Sequence, residues 1–378
     1  MIPRTLYSAE HEQFRDSVRR FVEREIVPQH ARWEHEGIVP RETWLAAGAA
    51  GLLLCSVPEE YGGMGGDFLH SCVVIEELAR VGASGPGFGL HSEIVAPYIL
   101  RYGSEAQKRE LLPAMARGEI VGAIAMTEPG AGSDLQGIRT RAVRDGDDLI
   151  VNGSKIFITN GQNADVVITV ARTDPDAGHK GISLVLVRRG DPGFERGRNL
   201  EKIGWKAQDT SELFFNDVRV PAGRILGEAG RGFRYLMEQL GQERLTACVR
   251  GAAVLESILE QTVRYTKERQ AFGQPLFEQQ NTRFKLADAK TRAVVCRTFV
   301  DRCVELHMQG TLDSTLAAMA KMYVTDLVCE VLDDLLQMHG GYGFMWEYPV
   351  ARAWADNRVT RIAGGTSEIM KEIISRAL

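Results

Sequence analysis

Several protein classes leave marks that this chain lacks. Its six cysteines (Cys55, Cys72, Cys248, Cys296, Cys303 and Cys329) include no CxxC pair and no other metal-ligand spacing, so no metal site is expected. Most of them sit among apolar residues and read as small buried thiols of a reducing compartment. A basic excess is absent too. Lys and Arg number 45 against 50 Asp and Glu, a net charge of −5, which argues against a nucleic-acid partner. The first residues, "MIPRTLYSAEHEQF", carry no signal-peptide apolar region, and no apolar run is long enough to span a bilayer. The expectation is a soluble cytoplasmic protein, with a mature mitochondrial-matrix form as the secondary alternative. There is no internal repeat and no low-complexity segment.

What is present is enough chain for two or three domains: 378 residues, 44% of them hydrophobic. Phe14, Val18, Phe21, Val22 and Ile26 recur at helical spacing, with Pro28 expected to end the helix. "SCVVIEELARVG" is a second helix stopped by glycine. From "VGAIAMTEPGAGSD" to about Gly227, β-branched runs such as "ADVVITVAR" and "GISLVLVRR" alternate with turn signals such as "RDGDD" and "ITNGQN". That pattern predicts a compact antiparallel β-domain. After Gly232 helices return near 233–268, 277–309, 314–338 and 349–361, and a short one closes the chain. The expected fold class is α+β: an N-terminal all-α domain (1–120), a middle β-domain (121–228) and a C-terminal helical bundle (229–378).

Four segments could carry chemistry. "MTEPGAGSD" follows a predicted strand, and its glycines let backbone N–H groups converge on one ligand; a plain strand-to-loop turn is the alternative. It is neither GxGxxG nor a P-loop with its lysine, so a standard nucleotide-phosphate fingerprint is missing. On the helix near 233–268, Leu236, Leu240, Ala247 and Val254 mark an apolar stripe, and Glu243 falls within it. A carboxylate there has a raised pKa and suits a general base, unless it pairs with Arg244 or Arg250. "ERQAFGQPLFEQQ" places Arg269 at a helix end, a plausible anion contact, and "QMHGGYGFMWEYP" has Gly340 and Gly341 either as a C-cap or at a site. His339 reads as a satisfied histidine as readily as a functional one. Finally, Ala363-Gly364-Gly365-Thr366 in "RIAGGTSEIMKEI" opens the last helix, a good seat for an electron-rich group, yet it holds no acid or base.

In this order, "AMTEPGAGSD", "FITNG", "ERQAFGQP", "QMHGGYGF" and "GGTSEI" resemble the acyl-CoA dehydrogenase family over nearly the whole chain, and its long-chain and isovaleryl-type branches most closely. The resemblance implies a homotetramer with one FAD per subunit. Ile124 to Ser133, with Met126, Thr127 and Gly132, would cradle the isoalloxazine ring, and Phe157, Ile158 and Thr159 would pack and hydrogen-bond beside it. Arg269, Phe272, Gln280, Gln337, Met338, Gly340 and Gly341 would meet the pyrophosphate and adenosine, partly across the subunit interface. Thr366 and Glu368 would also touch the cofactor. Ser133, Arg244, Gly364 and Gly365 would line the acyl-CoA site.

Many members of that family carry the catalytic glutamate just before the final "GT", where this chain has Gly364. The long-chain and isovaleryl branches place it on the long helix in an "ERL" context, which here is Glu243-Arg244-Leu245. The implied reaction is α-proton abstraction by Glu243 with hydride passing to flavin N5, giving a trans-2-enoyl-CoA within fatty-acid β-oxidation. Electron-transferring flavoprotein is the implied acceptor. Pro86, between Gly85 and Gly87, should end or loosen a helix that relatives run along the acyl tail, leaving room for medium, long or branched chains. A flavin monooxygenase or oxidase of the same fold, or a non-catalytic acyl-CoA-binding protein, are the competing functions.

Overall fold

The computed structural model describes residues 2–378. Helix α1 (Ala9–Phe21) buries Val18 and Phe21 and does not end near Pro28. It runs through a π turn, Val22–Ile26, into α2 (Val27–Glu36), with Pro28 in the first turn of α2. A helix's first N–H groups have no partner to lose, so proline is tolerated there. The stop is Gly37, left-handed at φ 75°.

Helices α3 (Arg41–Ala49) and α4 (Phe68–Arg80) follow, α4 being buried along almost its whole length. After Gly82 the chain forms a loop, then α5 (Phe88–Leu90), a second π turn (His91–Val95), α6 (Ala96–Tyr102) and α7 (Glu105–Ala116). The helix does stop before Pro86, but the segment is not loosened. Residues Ala83 to Phe88 are all buried. A Cβ on Gly87 would lie 2.0 Å from Asn160 Oδ1, and one on Gly85 would lie 2.8 Å from Ala207 Cβ. These glycines are present because the neighbouring β-domain leaves no room for a side chain.

The β-domain comprises β1 (Gly122–Ala125), β2 (Arg141–Asp145), β3 (Asp148–Thr159), β4 (Val166–Arg172), β5 (Ile182–Arg188), β6 (Phe194–Asn199) and β7 (Thr210–Pro221). They form one sheet in the order β1-β4-β2-β3-β7-β6, with β5 on β4. Most pairs are antiparallel, as expected. However, β1 lies parallel to β4, with Gly122 opposite Val166, and β2 touches β4 in parallel at Arg141 and Arg172. Two bulges interrupt the β3–β7 ladder, one between Lys155 and Ile158.

The last third is helical. The 37-residue α8 (Gly232–Glu268) leads into a short hairpin, β8 (Gln270–Ala271) and β9 (Gln274–Pro275). Then come α9 (Gln280–Met308), α10 (Ser314–Met338), α11 (Pro349–Asn357) and α12 (Ser367–Ser375). Helix α8 packs on both α10 and α4, so one apolar core is shared by the two helical bodies. A second core joins the N-terminal helices to one side of the sheet, through Val166, Ile168 and Leu184.

Candidate active site

Leu236 and Val254 of the α8 stripe are buried, while Leu240 and Ala247 are only half-buried. Glu243, itself half-buried, lies between the half-buried pair. It makes no ion pair with Arg244 or Arg250, the bland alternative. Instead Tyr98 of α6, fully buried, donates its hydroxyl to Glu243 Oε1 at 2.9 Å. Burial pushes the Glu243 carboxyl up to about 7, the Tyr98 hydrogen bond and the Arg244 charge only partly opposing it. Arg244 is itself buried, and its Nε has no partner. Arg250 stacks its guanidinium 4.3 Å from the Trp205 ring centroid.

The glycine run approaches from the end of the chain. Gly364 and Gly365 take φ 68° and 97°, conformations that L side chains rarely adopt. A Cβ on Gly365 would come within 2.6 Å of Met370 Cε, whereas one on Gly364 would meet nothing. Thr366 caps α12 by accepting from the Ile369 N–H at 3.2 Å, and Glu368 is exposed in the first turn of that helix. Lys321 of α10, buried, donates to Gly365 O at 2.5 Å. The N–H groups of Gly364, Gly365 and Thr366 have no hydrogen-bond partner among the described residues. Three free donors beside the buried cations Arg244 and Lys321 make this corner electropositive.

A second set of donors stands on the β-domain. Ile124 lies in β1, buried in the core, and Met126 and Thr127 follow the strand's end, half-buried, at the sheet's edge. Lys155 donates to Met126 O and to Glu128 Oε1, both at 2.9 Å, and the Ile156 N–H donates to Thr127 O at 3.0 Å. Gly132 and Ser133 are exposed in the loop beyond. The bulge in β3 falls on Phe157, which has φ 61° and is 64% exposed, while Ile158 is buried and Thr159 pairs with Thr210. A large aromatic is thus held outward in a disfavoured conformation, the kind of strain that tends to cluster at ligand sites.

The remaining candidates form a third group. Arg269 at the end of α8 holds its guanidinium 5.5 Å from the Tyr342 ring centroid, next to Gln337, Met338, Gly340 and Gly341 at the end of α10. Phe272, at the tip of the β8–β9 hairpin, is 97% exposed, and Gln280 begins α9. Among the described residues this group makes no hydrogen bond or ion pair with the other two. His339 is satisfied: its Nδ1 meets Leu335 O at 2.9 Å and its ring stacks on Tyr265. Although no metal ligands were expected, His11, Asp67 and His70 bring donor atoms within 4.8 Å of one another. Both rings are already engaged, each Nδ1 accepting a backbone N–H in a helix cap, from Ser8 and from Asp67.

Sequence reasoning missed Tyr98, Lys155 and Lys321. Each acts across a separation of 27 residues or more on the group it touches, and no local pattern signals that. The unpaired main-chain donors at two glycine-rich loops, with an outward aromatic between strand and cleft, suit the flat ring and phosphates of a flavin dinucleotide.

Comparison with known proteins agrees with this geometry. Models of the N-terminal, middle and C-terminal domains of acyl-CoA dehydrogenase match residues 8–119, 123–218 and 230–378. The chain is 52% identical over 377 residues to the mitochondrial long-chain specific acyl-CoA dehydrogenase of Sus scrofa, covering 99% of this chain and 88% of that one. A crystal structure of acyl-CoA dehydrogenase from Geobacillus kaustophilus superposes with a TM-score of 0.98 at 49% identity, over 99% of both chains. A glutaryl-CoA dehydrogenase from Mycobacterium smegmatis, in complex with FADH2, superposes at 0.90 with 29% identity, over 98% of this chain and 95% of that one. The fold, the loops and these likenesses converge: the chain belongs to the acyl-CoA dehydrogenase family of FAD-dependent oxidoreductases.

Proposed function

We propose that the protein oxidises an acyl-CoA thioester to its trans-2-enoyl-CoA, with Glu243 removing the α-proton, and that its substrates are long or branched acyl groups. The observation that carries this reading is the carboxyl of Glu243, raised to about 7 and bonded only to Tyr98. A base must be ionised yet eager for a proton at working pH, and a value near 7 meets both conditions. Bound FAD supplies the acceptor for the two electrons and the β-hydrogen. The chain's own residues have the remaining tasks. The free N–H groups of Gly364 and Gly365, with Arg244 and Lys321 behind them, favour negative charge on the thioester carbonyl as the α-proton leaves.

The shape of α8 supports the chain-length part of this reading. The face that carries Glu243 continues through Ala247 and Arg250 to Val254, eleven residues on, or about 16 Å along the axis. Arg250, Val254 and Ile258 there line a cavity of about 300 Å³, bordered by Val81 to Ala83 and by α11, with Arg80, Gln261, Arg352 and Asp356 as polar groups on its wall. Room at that distance supports a long chain, and the name of the Sus scrofa relative points the same way. Electron-transferring flavoprotein as acceptor, a homotetramer and a cytoplasmic location belong to the same proposal. No helix among the described residues is long and apolar enough to cross a membrane.

The test is a panel of acyl-CoA thioesters from butyryl to stearoyl, straight and branched, read by anaerobic bleaching of the flavin. Fastest bleaching by long or branched members is expected, with slow reoxidation by air. A sharp optimum at butyryl-CoA, with no turnover of longer chains, would contradict the chain-length assignment.

A further inference from the structure

Two buried lysines take no part in proton transfer, and each does the same thing in its own domain. Lys155 donates to Met126 O, and Lys321 donates to Gly365 O. Each gripped carbonyl belongs to the residue just before a threonine of the cofactor site, Thr127 and Thr366. Burial lowers both amines to about 8. Lys155 regains part of that through Glu128, at 2.9 Å. Lys321 has no carboxylate within ion-pair distance: Asp326 nearby is engaged by Arg361 and by the Ser367 hydroxyl. An apolar side chain of similar length would fill the same space without the cost of desolvating an ammonium. Stability alone does not account for a lysine here.

Peptide geometry does. No peptide bond is cis, so each carbonyl points away from the N–H of the next residue. Fixing Met126 O turns the Thr127 N–H away from Lys155, and fixing Gly365 O turns the Thr366 N–H away from Lys321. Neither N–H has a partner among the described residues. Gly364 and Gly365 are the least constrained residues a loop can have, and without an anchor that peptide plane would turn freely.

We infer that Lys155 and Lys321 are positioning residues, each fixing the peptide plane ahead of a threonine so that the Thr127 and Thr366 N–H groups face the cofactor side before any ligand binds. This rests on the two glycine-rich loops being the FAD site, and it adds the device that sets them. The consequence is an affinity effect without a change of base. Lys321→Met should fold with a thermal midpoint close to wild type or above it, because a desolvated charge has gone. FAD binding to the apoprotein, followed by fluorescence titration, should weaken about 10- to 100-fold, the worth of one hydrogen bond to a charged group.

Lys321→Arg keeps a donor and should recover most of that affinity. Lys321→Gln, polar but too short to reach the carbonyl, should lose it like Met, and takes over the test should the Met variant not fold. For Lys155 the change is made together with Glu128→Gln, so that no carboxylate is left buried and unpaired, and the same loss is expected. Wild-type FAD affinity and wild-type KM for acyl-CoA in Lys321→Met and Lys321→Gln would overturn the inference, whatever their thermal midpoints. The titration needs no turnover, so it stands apart from the assignment of Glu243. Failure of the wild-type apoprotein to bind FAD at all would instead sink the functional reading beneath it.

Discussion

Replacing Tyr98 by Phe isolates the contact that tunes the base. The ring of Tyr98 is fully buried, so Phe keeps the packing and removes one hydroxyl. That hydroxyl donates to Glu243 at 2.9 Å and favours the ionised carboxylate, holding its pKa below the value that burial alone would set. A hydrogen bond to a charged group contributes about 1.5–3 kcal/mol. At 1.36 kcal/mol per unit, its loss should raise the carboxyl pKa by about one to two units. The acid limb of kcat/KM, expected near pH 7 in the wild type, should therefore move to about 8–9. Well below pH 7 the variant should be about 10- to 100-fold slower, while by about pH 9.5 the two enzymes should nearly converge. Stopped-flow reduction of the flavin under anaerobic conditions, across pH 5.5–9.5, reads both limbs. A pH-independent loss, or an acid limb that stays in place, would refute the reasoning: Tyr98 would then be packing only.

Three further outcomes follow from the same site. Glu243 has a pKa raised from 4.5 to about 7, so the folded state holds its proton more tightly and wild-type stability falls as pH rises through that window. Glu243→Gln should be more stable than wild type by about 3 kcal/mol at pH 8, with the gap closing towards pH 5, as denaturant titrations at both pH values would show. The double change Glu243→Gln with Gly364→Glu should restore part of the turnover lost by the single one. Open space surrounds Gly364, but its φ of 68° would impose about 1–2 kcal/mol on any L side chain, so recovery measured by steady-state rates should be incomplete. Gly87→Ala should lower the unfolding free energy, read by denaturant titration, by about 1–3 kcal/mol, because its Cβ would fall 2.0 Å from Asn160 Oδ1. A neutral effect there would mean that the loop before α5 can yield.

The parts legible in the sequence were those governed by local rules. Continuous β-branched runs marked β4 and β5, which are buried on both faces, and a long apolar stripe marked α8, because burial writes itself into the spacing of apolar residues. Glu243 stood out for the same reason, as a charge in that stripe. The departures came where a distant neighbour decides. Pro28 sits inside a helical stretch because a π turn shifts the hydrogen-bond ladder before it, and π turns have no clear sequence mark. The parallel pairing of β1 with β4 depends on a crossover that strand patterns do not specify. Gly85 and Gly87 read as flexibility, yet they answer to Ala207 and Asn160 packed against them. Tyr98, Lys155 and Lys321 were invisible for a related cause: each is an ordinary residue until the fold brings its partner.

Glu243→Gln in single turnover tests the central claim most directly. The amide matches the carboxylate in size and can still accept from Tyr98, but it cannot take a proton. The variant should bind FAD and perturb its spectrum on adding acyl-CoA, while anaerobic bleaching slows by about 10²–10⁴-fold or more. Bleaching at a near-wild-type rate would contradict the account, since the α-proton would then be leaving to another residue.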